Sequence, residues 1–153
     1  MKLKLIWVGK TREDWIKSGS DEYIRRICRY APLTVLEVKD DPYADQATGR
    51  MKEAERIMKH VPPNAYLILL DERGDQLRSP QFAALLGRQQ DAGTPEVVFA
   101  IGGAYGFAPH LYERAQQRIA LSAMTFTHQM VRPIFLEQLY RAFTILNGEP
   151  YHH

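Results

Sequence analysis

One cysteine, Cys28, stands among 153 residues. It has no partner for an internal bridge, which excludes a disulfide scaffold, and no Cys/His pair falls at zinc-ligand spacing, so no metal site is expected. Long apolar runs are missing as well. The most sustained, such as Ala65–Leu70, fall far short of the roughly 18 to 20 residues a membrane span needs. The opening MKLKLIWVGK is too brief and too alternating for a signal peptide. No repeat, low-complexity tract or linker interrupts the chain. These absences predict one cytoplasmic domain over residues 1–153. With 45% apolar and 25% charged residues, a chain of this length buries roughly 70% of its unfolded surface and folds without a staple.

A strong charge of one sign is also absent. The net charge is +2, too small by itself to indicate a nucleic-acid binder. Its distribution says more. Residues 1–62 hold all seven lysines and a balance of +3, whereas residues 63–153 stand at −1. Arg25, Arg26 and Arg29 form one basic cluster, and Arg50, Lys52, Arg56 and Lys59 form another. Either is a candidate phosphate-facing surface. Both also read as solvated helix faces, since Glu53 and Glu55 sit within the second.

Apolar runs alternate with helical patterns along the chain. Strands are predicted at Lys2–Val8, Leu33–Val38, Ala65–Leu70, Glu96–Ile101 and Ile119–Ser122. Between them, a helix starts at about Ser20 as N-cap, with Tyr23, Ile24, Ile27 and Tyr30 on one face. After the turn-like Asp40–Gln46 a second helix spans Ala47–Val61, ended by Pro62 and Pro63. A third runs from Ser79 as N-cap and Pro80 to about Ala92, with Gly93 at its C-terminal position. A fourth covers Pro109–Arg118 and a last one about Gln129 to Leu146. Strict strand–helix alternation predicts a parallel sheet covered on both faces, with right-handed connections.

In such a sheet the ligand crevice lies beyond the carboxyl ends of the strands. Three segments end there: Leu69–Gly74, Ile101–Gly106 and Leu121–Phe126. The glycines Gly102, Gly103 and Gly106 suit either a backbone-lined binding loop or a tight turn. Their GGxxG spacing is neither the dinucleotide fingerprint nor the P-loop, and no Lys or Arg lies between Gly102 and Ala108. A ligand with an adenine-like body and little negative charge therefore fits better than ATP, and S-adenosylmethionine is one. Four of the five histidines follow residue 108. His128, just before the last helix, is placed to bind a phosphate or move a proton, or to sit half-exposed at a helix start.

The last helix is apolar around most of its circumference, leaving a narrow polar strip through Glu137, Gln138, Arg141 and Thr144. Such a helix must be buried nearly all round. In a small α/β domain this points to a second subunit about a twofold axis, with a central helix in a monomer as the alternative.

The three strand-end segments and the run MTFTHQMVRPIFLEQLYRAFTILNGEPYHH resemble the large-subunit ribosomal RNA methyltransferase H family, a single-domain branch of the SPOUT class. The resemblance extends from MKLKLIWVGK through LLDERG and FAIGGAYG to the terminus. It implies a parallel α/β sheet with a C-terminal trefoil knot and a homodimer. It also implies methyl transfer from S-adenosylmethionine to N3 of pseudouridine 1915 in 23S rRNA of the assembled ribosome. By the same resemblance the cofactor contacts fall on Leu70, Gly102, Gly103, Leu121, Ser122, Ala123, Met124, Thr125 and Phe126. The imide N3–H must lose its proton before the nitrogen attacks, so the site needs a base or a group that stabilises the anion. His128, Arg132, Tyr151, His152 and His153 are the candidates for base, anion partner or RNA clamp. A tail that short, after a dimer-facing helix, is placed to complete the partner's site. Three rivals stand beside this reading: a non-catalytic RNA- or ribosome-binding factor on the same fold, a nucleotide-using small-molecule enzyme, and a methyltransferase with another RNA target.

Overall fold

The computed structural model describes residues 1–41 and 45–153. Within them five strands and five helices alternate as β1 (Lys2–Val8), α1 (Asp14–Ile27), β2 (Leu33–Val38), α2 (Gln46–Met58), β3 (Tyr66–Gln76), α3 (Ser79–Asp91), β4 (Glu96–Ile101), α4 (Pro109–Arg114), β5 (Gln117–Ala120) and α5 (Val131–Leu146). All strand pairs are parallel, in the order β2-β1-β4-β3-β5. The fold class expected from the alternation is the one observed. Strands β1, β3 and β4 are nearly continuous apolar runs because helices cover both their faces. Leu3, Leu5, Ile68, Val97 and Phe99 face α1, α3 and α5. Ile6, Val8, Leu67, Leu69 and Val98 face α2 and α4. Steps leftward along the sheet carry their helix on one face and steps rightward on the other, as a single hand of crossover requires.

Several boundaries differ from expectation. Helix α1 begins at Asp14, not near Ser20. Ile16, Ser20 and Ile27 form its buried stripe, and Ser20 is a small residue on the packed face rather than a cap. Strand β3 does not stop at Asp71. It runs on to Gln76 because a register shift between Leu70 and Asp75 lets its outer half pair with β5. That crossing is close: a Cβ added at Gly74 would lie 2.6 Å from the carbonyl carbon of Arg118. Helix α4 ends at Arg114, and β5 starts early because Gln116 pairs with Leu67, backbone N–H to its carbonyl and side-chain oxygen to its N–H. Arg78, not Ser79, takes the N-cap position of α3, its N–H bound by Gln81 Oε1 at 2.8 Å. Ser79 instead donates to Gln138 Oε1 at 2.7 Å and ties α3 to α5. Gly93 does follow α3, with φ +70°. Of the turn expected at Asp40–Gln46, residues 42–44 lie outside the described residues, Asp45 caps α2 by accepting from the Thr48 N–H, and Gln46 is already helical.

Helix α5 packs between α1 and α3. Phe135, Leu136, Leu139, Ala142 and Phe143 are buried there, with the Phe135 ring 4.9 Å from that of Phe99 and Phe143 stacked on Tyr30 at 5.5 Å. Much of the burial that its composition demands is therefore supplied within the chain. Thr144, expected on the polar strip, is fully buried, and its hydroxyl donates to the Arg141 carbonyl at 2.7 Å.

Candidate functional site

The carboxyl ends of β3, β4 and β5 open onto a cavity of about 480 Å³. Each wall follows from where a strand stops. Leu70 closes the core half of β3 and is followed at the rim by Asp71, Glu72 and Arg73. After β4 the chain turns at once: Gly106 N–H donates to Gly103 carbonyl at 3.3 Å, the two glycines form an antiparallel bridge, and Gly106 sits at φ +81°. This tight turn is a wall of the cavity. Side chains would crowd it. A Cβ on Gly102 would press within 3.2 Å of the Phe107 ring, and one on Gly103 within 3.1 Å of the Glu53 carboxylate. Helix α2 steadies the turn from outside, with Arg50 Nη1 donating to the Tyr105 carbonyl at 3.4 Å. Glu53 lies half-buried behind it, and burial pushes its carboxyl up.

The third wall is the segment after β5. Ser122 Oγ accepts the Met124 N–H at 3.0 Å, and Thr125 donates to Glu72 at 3.0 Å, pinning this loop to the outer half of β3. Leu121, Ser122, Met124, Thr125 and Phe126 line the cavity with Leu70, Gly102 and Gly103. Ala123 is exposed and off the wall. The sequence marks this crevice without reaching across it to α2. Arg50 comes from a helix 55 residues away from its partner, and no periodicity or spacing announces that contact.

His128 also lines the cavity, half-buried at its floor. Burial, then the cations of Arg132 and Arg12, lower its pKa against a weaker opposing pull from Asp40. Arg132 does not line the cavity. It lies beneath it, fully buried, donating to the carbonyls of Val8 at 2.9 Å and Gly9 at 3.0 Å and to Thr11 Oγ1 at 2.8 Å, with its guanidinium 4.7 Å from the Trp7 ring centroid. Burial pushes its pKa down to about 10, so it stays charged at neutral pH. Gln129 adds two bonds to the same loop, donating to the Lys10 carbonyl at 2.9 Å and accepting the Arg12 N–H at 3.0 Å.

The tail lies elsewhere on the same chain. The Tyr151 hydroxyl donates to Glu137 Oε1 at 3.1 Å, and its ring packs on Tyr140 at 4.7 Å. His152 Nδ1 is 3.2 Å from Arg141, and His153 is exposed. None of the three lines the cavity. The first basic cluster is partly spoken for: Arg25 and Arg26 both bind Glu22, and Arg26 stacks on Tyr23 and Tyr140. In the second, Arg56 pairs with Asp41 at 2.9 Å. Among the described residues, no three His, Cys, Asp or Glu side chains cluster to hold a metal, and no helix is long and apolar enough to cross a membrane.

Known proteins share both the sequence and the fold. A family described as "Predicted SPOUT methyltransferase" matches residues 1–152. A protein of Geobacter metallireducens named "Ribosomal RNA large subunit methyltransferase H" is 60% identical over 153 residues, covering 100% of this chain and 99% of its own. One of the same name from Trichlorobacter lovleyi is 59% identical, covering both chains in full. Among solved structures, a probable methylase family protein from Haemophilus influenzae superposes with a TM-score of 0.55 at 12% identity, over 99% of this chain and 70% of that one. A probable methyltransferase from Bordetella pertussis gives 0.54 at 16% identity, over 92% and 95%. The solved structures agree on the fold, and the full-length sequence matches place this chain in the SPOUT methyltransferase family.

Proposed function

We propose that the protein is a cytoplasmic, homodimeric, S-adenosylmethionine-dependent methyltransferase acting on N3 of pseudouridine 1915 in 23S rRNA of the assembled ribosome. The observation that carries this reading is the convergence of three strand-end loops on one cavity of about 480 Å³, in a chain about 60% identical to proteins named for that class of reaction. The residues present suit the methyl donor. The volume is that of a small-ligand site. Its walls are backbone at Gly102 and Gly103 and apolar side chains at Leu70, Leu121 and Phe126, with the carboxylates of Asp71 and Glu72 at the rim and no lysine. A sulfonium is attracted to those carboxylates, and the cations on the same wall, Arg50 and Arg73, are held by the Tyr105 carbonyl and by Tyr112 with Asp71.

When bound, the donor supplies a methyl group whose bond to sulfur breaks as the bond to N3 forms, leaving a neutral thioether. The chain's own residues supply the rest. The glycine turn and the Leu121–Phe126 loop fix the direction of approach, which an in-line displacement requires. His128, whose neutral form is favoured by burial and then by Arg132 and Arg12, takes the imide proton. Arg132 acts by holding the segment that carries His128. Tyr151, His152 and His153 reach a cavity only across the dimer. Half-buried Ile134 and Ile145 and the exposed Leu146 on α5 support that interface. We infer the trefoil knot from the path of residues 121–132. They leave the edge strand β5, bind β3 through Thr125 and then clasp the loop after β1.

Labelled methyl transfer from S-adenosylmethionine to ribosomes from a strain lacking the protein, with free rRNA in parallel, tests this reading. Label on a large-subunit pseudouridine from ribosomes is expected. A folded protein that binds ribosomes but transfers no label to either substrate would be a non-catalytic binding factor instead.

A further inference from the structure

Beside the cavity, on the outer side of the β3–β5 crossing, a second groove of about 390 Å³ runs between Arg73, Gly74 and Asp75 of β3, Tyr112 of α4, and Gln117 and Arg118 of β5. Arg73 belongs to both. The close approach of Gly74 to the Arg118 backbone draws the two arginines together around one phenol. The Arg118 guanidinium lies 5.0 Å from the Tyr112 ring centroid and that of Arg73 5.9 Å, and Arg73 Nη2 donates to the Tyr112 hydroxyl at 3.1 Å. Tyr112 in turn donates a hydrogen bond to Asp71. Burial and the Asp71 carboxylate push the phenol's pKa up, so Tyr112 stays a neutral donor.

Two guanidiniums on one ring repel each other, and the nearby acids meet only part of that charge: Asp75, in the groove's lining, forms no ion pair with either arginine among the described residues. Asp71 is engaged by Tyr112 and by the Arg73 N–H at 2.9 Å, and its oxygen is 3.7 Å from Arg73 Nε. Arg118 is exposed and, among the described residues, has no ion-pair partner. A planar guanidinium stacked on an aromatic face, with its edge open, is pre-oriented for a phosphate. Gln116 and Gln117 add neutral amides to the walls.

We propose that this groove is a phosphate-binding site for the RNA backbone, with Arg118 contacting the phosphate and Arg73 linking the site to the methyl-transfer cavity. The inference rests on the rRNA substrate proposed above. It places the nucleic acid along the β5 edge, on a cation outside both lysine- and arginine-rich clusters of the first 62 residues.

Binding of the full-length protein to ribosomes and to protein-free 23S rRNA, measured from about 50 to about 200 mM salt, tests it. R118Q should weaken binding to both by about fivefold to tenfold at ~100 mM salt and make the slope of log K against log salt shallower by about 0.7 to 1. R118K, which keeps the charge, should retain most of the slope. The affinity for S-adenosylmethionine should be the same in all three proteins, since Arg118 does not line that cavity. Equal slopes for wild type and R118Q would overturn the proposal. A loss seen on ribosomes but not on protein-free rRNA would overturn it in favour of contact with a ribosomal protein. Methyl transfer by the wild type is read separately. If none occurs while the R118Q slope still falls, the methyl-transfer reading fails and the phosphate site stands.

Discussion

Helix α5 carries one arginine in its first turn and another in its C-terminal half, and they are held in opposite ways. Arg132, at the first turn, is fully buried and binds two carbonyls, a hydroxyl and an indole face, with no carboxylate among these partners. Arg141, about nine residues or 14 Å further along, is half-buried. It is paired with Glu137 through Nε at 3.0 Å, stacked on Tyr151 at 4.8 Å and in reach of His152. A buried cation costs several kcal/mol to desolvate unless hydrogen bonds satisfy it. At Arg132 the acceptors are the last carbonyls of β1 and of Gly9, where parallel strands end and backbone oxygens lack partners. The first arginine is therefore a fixed clasp that sets the floor of the cavity, and the second is an adjustable dock for the tail. Rigidity is spent where His128 and the Leu121–Phe126 loop must be placed, and relaxed where the chain ends.

The largest effect that this contrast predicts is from R132M. The apolar replacement fills much of the space but leaves the buried Val8 carbonyl and the part-buried Gly9 carbonyl without this donor, at about 1–3 kcal/mol for the first and less for the second. Urea unfolding should show a loss of about 2–5 kcal/mol, with weakened binding of S-adenosylmethionine, because the segment above the clasp loosens. A change under about 1 kcal/mol would show that the clasp is ornamental. Next in size is a matched pair. R132K keeps the charge but offers a point donor where three acceptors are spread around a planar fork, so about 1–3 kcal/mol should be lost. R141K, in partly screened surroundings, should cost less than about 1 kcal/mol. Equal costs would erase the difference between the two arginines.

The contrast also marks what the sequence alone discloses. Strand–helix alternation and the three strand-end segments locate the parallel sheet and its crevice, because both depend on local pattern and a general property of such sheets. The charge on α5 is where local reading stops. Arg132 follows His128 closely and so invites a catalytic role. Its actual partners, Val8, Gly9 and Thr11, lie more than 120 residues earlier, and only the return of the chain to β1 brings them together. The same holds for Tyr151 and His152, whose docking on Glu137 and Arg141 depends on a turn at Asn147 and Gly148 that fixes the angle of the tail. Strand β3 shows a third kind of gap. A charged run such as Asp71–Arg73 reads as a break, yet β5 pairs with β3 on both sides of it, at Leu70 and again at Asp75, so the strand resumes beyond the run.

A smaller effect is expected at the second arginine. E137Q removes the charge that holds Arg141 and weakens the acceptor for Tyr151. Because the group is partly exposed, global stability should fall by less than about 1 kcal/mol. Hydrogen exchange at residues 149–153 should nevertheless accelerate severalfold, since local opening there involves little buried surface. Unchanged exchange with a large drop in stability would mean that the tail is as firmly built in as the clasp.

The least effect in neutral solution, and the one most specific to the first arginine, concerns His128. Its pKa in the folded chain lies below the ordinary value of 6.5, by burial first and then by Arg132 and Arg12. Between those two values the unfolded chain carries a proton that the folded chain does not. Stability is therefore complete above about pH 6.5 and declines as pH falls through that value toward the folded pKa. H128N should leave stability at pH 8 nearly unchanged and flatten this decline. In the wild type, the His128 ring resonances should titrate below 6.5. In R132M they should move upward without reaching it, because burial persists when the neighbouring cation is gone. Titration at 6.5 in the wild type would mean that the imidazole is not buried at the cavity floor, and methyl transfer would then be expected to fall off at a higher pH than a neutral base requires.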